Sequence, residues 1–231
     1  MSIHDGHRQR LKELYRKEGL DNFQQVNVLE LLLFYCVARK DTNELAHRLL
    51  SHFGSVSEVL DAPPEELEKV EGVSSHIATF LTMLPDVSRY YLINRADNTA
   101  IAHTTEQCGS YMMNYLAGQI NETVYLLCLD AKCKILCCRE VGRGSVNSAG
   151  ISVRKIVQIA LGANATTVVL AHNHPSGLAI PSGDDIQTTR RIARALHGVE
   201  IRLADHLVFA NDEFVSLVQS GYYDPDACVT E

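Results

Sequence analysis

Apolar residues recur every three or four positions through the first 95 residues, which is the spacing of amphipathic helices. The pattern predicts five helices, at residues 6–18, 26–37, 42–53, 64–70 and 74–92. The residues around them suit helix ends: Gly19 and Gly54 follow two of the helices, and Pro64 fits a first helical turn, where its missing N–H is not needed. The N-terminal part of the chain is therefore predicted to be an all-helical bundle.

The pattern changes after residues 94–99, a polar segment without apolar periodicity that we predict to be a linker. Beyond it, predicted strands at 123–129, 135–141, 166–171 and 201–209 alternate with predicted helices at 105–117, 152–161, 183–196 and 213–219. Such alternation is typical of an α/β or α+β domain. We therefore predict a helical domain over residues 1–95 and a mixed α/β domain over residues 104–226.

Length and charge limit the functional classes. A chain of 231 residues has room for two domains, since single domains are commonly about 100–150 residues long. The net charge is −7 and neither half has an excess of basic residues, so charge alone predicts no broad affinity for nucleic acid. Without an apolar stretch of about 18 residues or a secretory signal, the sequence predicts a cytoplasmic protein and no membrane partner.

Cysteine usage indicates a reducing compartment. The count is odd and no CxxC pair occurs, which argues against a disulfide framework. The seven cysteines are Cys36, Cys108, Cys128, Cys133, Cys137, Cys138 and Cys228. Those between residues 128 and 138 lie in apolar, strand-like sequence, and we interpret them as small core residues. A thiolate metal site there would lack the usual ligand spacing.

A candidate metal site follows the β-branched strand at 166–171. His172 and His174 are two residues apart, so an extended backbone directs both imidazoles to one side. Ser182 resembles a helix N-cap, and Asp185 lies three residues later in the first helical turn. Two imidazoles and one carboxylate leave a fourth position for water, as in catalytic zinc sites. The alternatives are two polar loop histidines and a plain Ser182–Asp185 helix cap.

These residues resemble a known family motif. His172, His174, Ser182 and Asp185 match the JAMM (MPN-plus) metalloprotease motif, His-x-His-x(7)-Ser-x-x-Asp, and the letters HNHPSG resemble the bacterial RadC branch. The resemblance extends over about residues 105–223 and includes the N-terminal segment. Its other segments are residues 122–130, Gly144-Ser145-Val146, residues 152–154, residues 205–208 and Ser216.

The resemblance implies a fold, a cofactor and residue roles. The fold would be a JAB/MPN-like (cytidine-deaminase-like) mixed sheet flanked by helices. One zinc ion per chain would be held by His172, His174 and Asp185. Glu122 would act as general base, and Ser182 would donate a hydrogen bond to the developing oxyanion. The implied activity is a zinc-dependent peptidase or isopeptidase acting on a peptide or protein substrate.

Three assignments have rivals in the sequence. Glu140, at the end of the next predicted strand, competes with Glu122 for the role of base, and Asp184 competes with Asp185 as a ligand. The pair Asp205-His206 would either orient a metal ligand from behind or form a hydrogen-bonded pair where a strand begins.

The N-terminal helices carry a second functional hypothesis. Residues 70–78 resemble a helix-hairpin-helix, in which backbone N–H groups approach a DNA phosphate. Here Ser74 replaces the second glycine, and four nearby glutamates, Glu65, Glu66, Glu68 and Glu71, repel phosphate. The alternatives to a hydrolase are therefore a DNA-repair-associated protein that contacts DNA through residues 70–80, and an interaction scaffold with a structural metal. The sequence does not fix the oligomeric state.

Overall fold

A computed structural model of the protein describes residues 3–38, 42–95, 100–116, 118–144 and 152–227. The chain divides into two compact units, Met1–Ser88 and Arg89–Glu231. Ser145, Val146, Cys228 and residues 96–99 of the predicted linker lie outside the described residues. The domain boundaries at 95 and 104 stay predictions.

The first unit is helical, as predicted. Its helices are α1 Ile3–Glu18, α2 Gln25–Cys36, α3 Asn43–Phe53, α4 Val56–Asp61, α5 Pro64–Leu67 and α6 Ser75–Arg95, the last of which continues into the second unit. Its core is built almost entirely from aliphatic side chains, including the fully buried Leu29, Leu33, Leu49, Leu67 and Leu81.

The turn between α5 and α6 is the segment predicted to resemble a helix-hairpin-helix. Gly72 has a φ of +95°, a conformation that glycine adopts with little strain. The Ser74 hydroxyl accepts a hydrogen bond from the backbone N–H of Ile77 at 3.4 Å, as a helix N-cap does. Glu66 is paired with Lys69 on the same turn. Contact between residues 70–80 and DNA stays a prediction.

The second unit contains a five-stranded mixed sheet. Its elements are α7 Thr105–Leu116, β1 Thr123–Leu129, β2 Ile135–Arg143, α8 Val153–Gly162, β3 Thr167–Asn173, α9 Gly183–His197, β4 Arg202–Ala210 and β5 Glu213–Ser216. The strand order is β2-β1-β3-β4-β5. Only β3 and β4 are parallel, and the other neighbours are antiparallel. The predicted mixed α/β fold class is confirmed.

Successive side chains of the central strands point to opposite faces of the sheet, so this unit has three layers: the sheet and the helices on each side of it. Val124 and Leu126 of β1 face the core that contains Ile156 of α8 and Ile192 of α9. Tyr125, which lies between them, and Leu127, which follows them, face the opposite core beneath α7. Both faces of the sheet are therefore covered, which is why β1 is buried along its whole length although a half-exposed strand would alternate.

Two elements differ from the sequence predictions. The expected helix at 213–219 is wrong, because Glu213–Ser216 forms β5 and pairs with β4 through partners such as Val208 and Val215. A tight turn makes this hairpin possible: Asn211 adopts a φ of +53°, which asparagine tolerates better than most residues. The short helix α4 was not predicted; Ser55 caps it by accepting a hydrogen bond from the Glu58 N–H.

Two broader expectations concern cysteines and membranes. The six cysteines within the described residues are free thiols. Of the four predicted to be core residues, Cys128 and Cys138 are buried, whereas Cys133 and Cys137 are only partly buried. Within the described ranges, none of the helices combines the length and the hydrophobicity that a transmembrane span requires.

Ile192→Ala should weaken the second unit, because Ile192 is fully buried between α9 and the sheet. Removing such a side chain typically costs about 2–5 kcal/mol of unfolding free energy, which urea denaturation would measure. Leu161→Ala is the control, since Leu161 is 51% exposed and should lose far less. Equal losses in the two variants would contradict this packing.

Candidate metal centre

The end of β3 positions two imidazoles. His172 pairs with Val124 of β1 and Val208 of β4 and is fully buried on the face covered by α8 and α9. His174 lies just beyond the strand, where its backbone N–H donates to the Phe209 carbonyl at 2.7 Å. The imidazoles are close: Nε2 of His172 is 2.9 Å from Nε2 of His174.

A turn after the strand orients His174. Gly177 has a φ of +81°, which a residue with a side chain would adopt only with strain. The turn brings the Leu178 carbonyl to 2.9 Å from Nδ1 of His174. A carbonyl can only accept, so Nδ1 carries the proton. In the neutral ring, Nε2 then presents a lone pair toward His172.

The first turn of α9 supplies the carboxylate. Ser182 and Asp185 form a reciprocal capping box, a strong signal for a helix start. Oδ2 of Asp185 accepts from the Ser182 N–H at 2.7 Å and from its hydroxyl at 2.6 Å. Oδ1 of Asp185 lies 3.4 Å from Nε2 of His172, and Oδ2 lies 3.7 Å from Nε2 of His174. The helix cap and the carboxylate of the candidate site are therefore one structure.

The three side chains form a group that could hold a metal ion. One donor atom from each of His172, His174 and Asp185 lies within 4.8 Å of the other two. The two Nε2 atoms are 2.9 Å apart, Nε2 of His172 is 3.4 Å from Oδ1 of Asp185, and Nε2 of His174 is 3.7 Å from Oδ2 of Asp185. In a tetrahedral zinc site with bonds of about 2.1 Å, donor atoms are about 3.4 Å apart. The donor set fits such an ion in both chemistry and spacing.

Comparisons with known proteins identify the family of the chain. The family model described as a RadC-like JAB domain matches residues 102–222. The chain belongs to the RadC family. It is 30% identical to UPF0758 protein FN0909 of Fusobacterium nucleatum subsp. nucleatum over 94% of this chain and 96% of that protein. It is 32% identical to UPF0758 protein SPO0054 of Ruegeria pomeroyi, again over 94% of this chain and 96% of that protein. The RadC resemblance is confirmed.

Glu122 directly precedes β1 in this RadC family member. The paired register of β1 and β3 ends at Val124 and His172, since the Thr123 N–H bonds to the side chain of Asn173. Glu122 is half-exposed, and its backbone carbonyl accepts from the Gly144 N–H at 2.8 Å. Its role as general base stays a prediction.

Asn173 fixes the approach to Glu122. Its side chain lies on the opposite face from His172, where Oδ1 accepts from the Thr123 N–H at 2.7 Å. Its Nδ2 donates to the carbonyls of Gln119 and Asn121 at 3.0 and 3.1 Å. Asn173 is buried, so it ties the loop before β1 to the end of β3 rather than lining a cleft.

The rival base, Glu140, lies on the other face of the sheet. It pairs with Tyr125, whose side chain belongs to the core beneath α7. Both carboxylate oxygens of Glu140 accept from the Arg143 guanidinium, at 2.9 and 3.1 Å. This placement favours Glu122 over Glu140. Asp184, the rival ligand, is exposed, whereas Asp185 is buried against the imidazoles.

The side chains of Asp205 and His206 point to opposite faces of β4, and the two residues are joined by a hydrogen bond from the His206 backbone N–H to Oδ1 of Asp205 at 2.7 Å. The Asp205 carboxylate accepts from the hydroxyls of Ser216 at 2.6 Å and Thr105 at 3.2 Å. Burial raises the pKa of Asp205, and these hydrogen bonds partly offset the rise. The His206 ring lies on the metal-site face, 2.8 Å from His172 and 2.6 Å from the Thr189 hydroxyl. Thr189 was not predicted from the sequence.

Burial governs the protonation of His172. The ring is fully buried, and desolvation lowers its pKa from 6.5 to about 4, although the nearby Asp185 carboxylate opposes this and His174 adds to it. The ring is therefore neutral at pH 7, which is the form that binds a metal.

The depressed pKa of His172 predicts a loss of stability in acid. Between pH 6.5 and 4 the unfolded chain binds a proton that the folded chain does not, so the free energy of unfolding falls as the pH falls. The total decrease in the free energy of unfolding would be roughly 3 kcal/mol. Urea denaturation from pH 7 to 4, with a chelator present, would measure it.

The matched variants are His172→Gln and His47→Gln. His172→Gln removes the buried titrating ring and should flatten the pH dependence, whereas His47 is exposed and its replacement should leave the slope unchanged. Superimposable curves for the wild type and His172→Gln would show that burial of His172 does not control acid stability.

Proposed function

We propose that this RadC family protein is a zinc-dependent hydrolase with JAMM-type peptidase or isopeptidase chemistry. One observation carries the proposal: three donor atoms converge, and the two contributed by His172 and Asp185 belong to side chains almost fully removed from solvent. A buried carboxylate beside the neutral His172 imidazole is costly unless a cation or hydrogen bonds compensate it. A divalent ion bound there would supply a hydroxide nucleophile at neutral pH by lowering the pKa of water.

The remaining residues have roles in substrate chemistry. The His174 side chain is 19% exposed, against 0% for His172, so substrate would approach from the His174 side. Glu122 would take a proton from the attacking water and pass it to the leaving group. Ser182 would donate to the developing oxyanion, a contribution of about 3 kcal/mol in comparable sites. Its hydroxyl now donates to Asp185, so that role requires the hydroxyl to rotate.

Support for a peptide or isopeptide bond comes from the motif spacing that the chain shares with JAMM metalloproteases. The metal ligands alone do not distinguish a carbonyl carbon from a phosphodiester. A substrate panel of peptides, isopeptide-linked proteins and DNA, assayed with wild type and Asp185→Asn, would test the bond class. Cleavage confined to DNA would replace the peptidase assignment with a nuclease.

Asp185→Asn should abolish stoichiometric zinc binding. The amide removes the negative charge of the ligand, yet its oxygen can still accept from the Ser182 N–H, so the helix cap persists. Elemental analysis after dialysis should find about one zinc per chain in the wild type and much less in the variant. Asp184→Asn is the control, because Asp184 is an exposed neighbour. A wild type without zinc would end the proposal.

Glu122→Gln should lower kcat by about 10²–10⁴-fold, the usual contribution of a general base, while zinc content stays at the wild-type level. Glu140→Gln is the matched control, because Glu140 lies on the opposite face and pairs with Arg143. Steady-state kinetics on the substrate found above would measure both. Full activity in Glu122→Gln would remove Glu122 as the base.

A further inference from the structure

His206 is a buried histidine that stands behind the candidate ligands rather than among them. It is 0% exposed and lies on β4 opposite Leu170, two residues before His172 in the parallel register. Its Nε2 is 2.8 Å from Nδ1 of His172, and its Nδ1 is 2.6 Å from the hydroxyl of Thr189. Both ring nitrogens are therefore engaged with side chains of the site.

The direction of these hydrogen bonds is fixed at the Thr189 end. The Thr189 hydroxyl lies 2.6 Å from the Asp185 carbonyl. Because a carbonyl only accepts, the single hydroxyl proton of Thr189 points to Asp185. The same oxygen must then accept from His206, so Nδ1 of His206 carries a proton. The opposite direction would leave two oxygens in contact without a hydrogen between them.

The direction continues through His206 to His172. Among the described residues, the His206 ring contacts a hydroxyl and an imidazole but no carboxylate, since Asp205 accepts elsewhere, and an unpaired buried charge is costly. A neutral ring with a proton on Nδ1 has a lone pair on Nε2. Nδ1 of His172 therefore donates to His206, and Nε2 of His172 keeps its lone pair. Nε2 of His174, 2.9 Å away, also presents a lone pair, and two facing acceptors repel each other unless a cation lies between them.

We propose that Thr189 and His206 are positioning residues that hold His172 in the tautomer able to bind the metal. The inference rests on the proposed metal site and adds the device that prepares it. His174 reaches the same tautomer through a backbone carbonyl, whereas His172, inside the sheet, depends on side chains from α9 and β4. The other tautomer of His172 would direct an N–H at the metal position and could not bind.

The tautomer can be read without any metal. Long-range ¹H–¹⁵N correlation spectra of the full chain, with zinc removed by chelator, distinguish a protonated Nδ1 from a protonated Nε2. We expect wild-type His172 to be protonated on Nδ1, and Thr189→Val and His206→Phe to shift it towards a mixture or the other tautomer. Protonated Nε2 in the wild type, or spectra of His172 unchanged by both variants, would overturn the proposal.

Zinc affinity provides the second measurement. Competition with a chromophoric chelator should show about 10- to 100-fold weaker binding in Thr189→Val and His206→Phe. Thr189→Ser keeps the hydroxyl and should remain near the wild type. Thr188→Val is the matched control, because Thr188 is also buried on α9. If His206→Phe fails to fold, the near-isosteric Thr189→Val decides the result alone.

The outcomes separate this inference from the proposed function. A wild type that binds no zinc, yet shows protonated Nδ1 on His172, would remove the hydrolase proposal and the affinity role while leaving the hydrogen-bond direction established. Normal zinc binding with equal affinity in Thr189→Val, Thr188→Val and wild type would remove the positioning role and leave the metal site intact.

Discussion

The second unit depends on one line of hydrogen bonds that runs from the Asp185 carbonyl through Thr189 and His206 to His172. Every side chain in this line is buried, so each loses its contact with water on folding and needs the others as partners. The line joins α9, β4 and β3. It therefore couples the docking of the helix on the sheet to the orientation of an imidazole at the strand end.

Strand alternation determines which polar residues can join that line. His172 and His206 face α9, whereas their neighbours Asn173 and Asp205 face the opposite side of the sheet and serve the loop before β1 and the start of α7. In the adjacent pairs His172-Asn173 and Asp205-His206, the histidines therefore face the candidate metal site, whereas Asn173 and Asp205 hold the surrounding elements in place. Asn173 also fixes the loop that leads to Glu122, the proposed base.

Much of the site could be predicted because its signals are local. His172 and His174 share a strand end, and Ser182 and Asp185 share a capping box, so spacing within each pair identified all four. Thr189 could not be found in this way, because a threonine in the middle of a helix carries no signal until the sheet brings His206 beside it. The orientation of Asp205 and His206 likewise depended on the β4 register, which a bulge near Val168 and Val169 shifts.

The error in the predicted fold also arises from contacts between segments that the local sequence pattern does not show. Residues 213–219 have an apolar spacing that suits a short helix, but backbone pairing with β4 outweighs that weak preference and makes β5. Edge strands of four residues carry too few positions for alternation to be recognised. By contrast, the limits of β1 were predicted correctly because all seven of its residues are buried and the six that follow Thr123 form an uninterrupted hydrophobic run.

Each oxygen of Asp185 has a different partner, which explains how the candidate site accommodates several buried polar groups. Oδ2 satisfies two donors of Ser182, the main-chain carbonyl accepts from Thr189, and Oδ1 is left to face His172. The carboxylate is thus held by the helix start from one side, so Oδ1 faces His172 without further ordering. A ligand fixed in this way would lose little conformational entropy on binding a cation. The capping box would therefore serve the proposed metal site and helix formation through the same side chain.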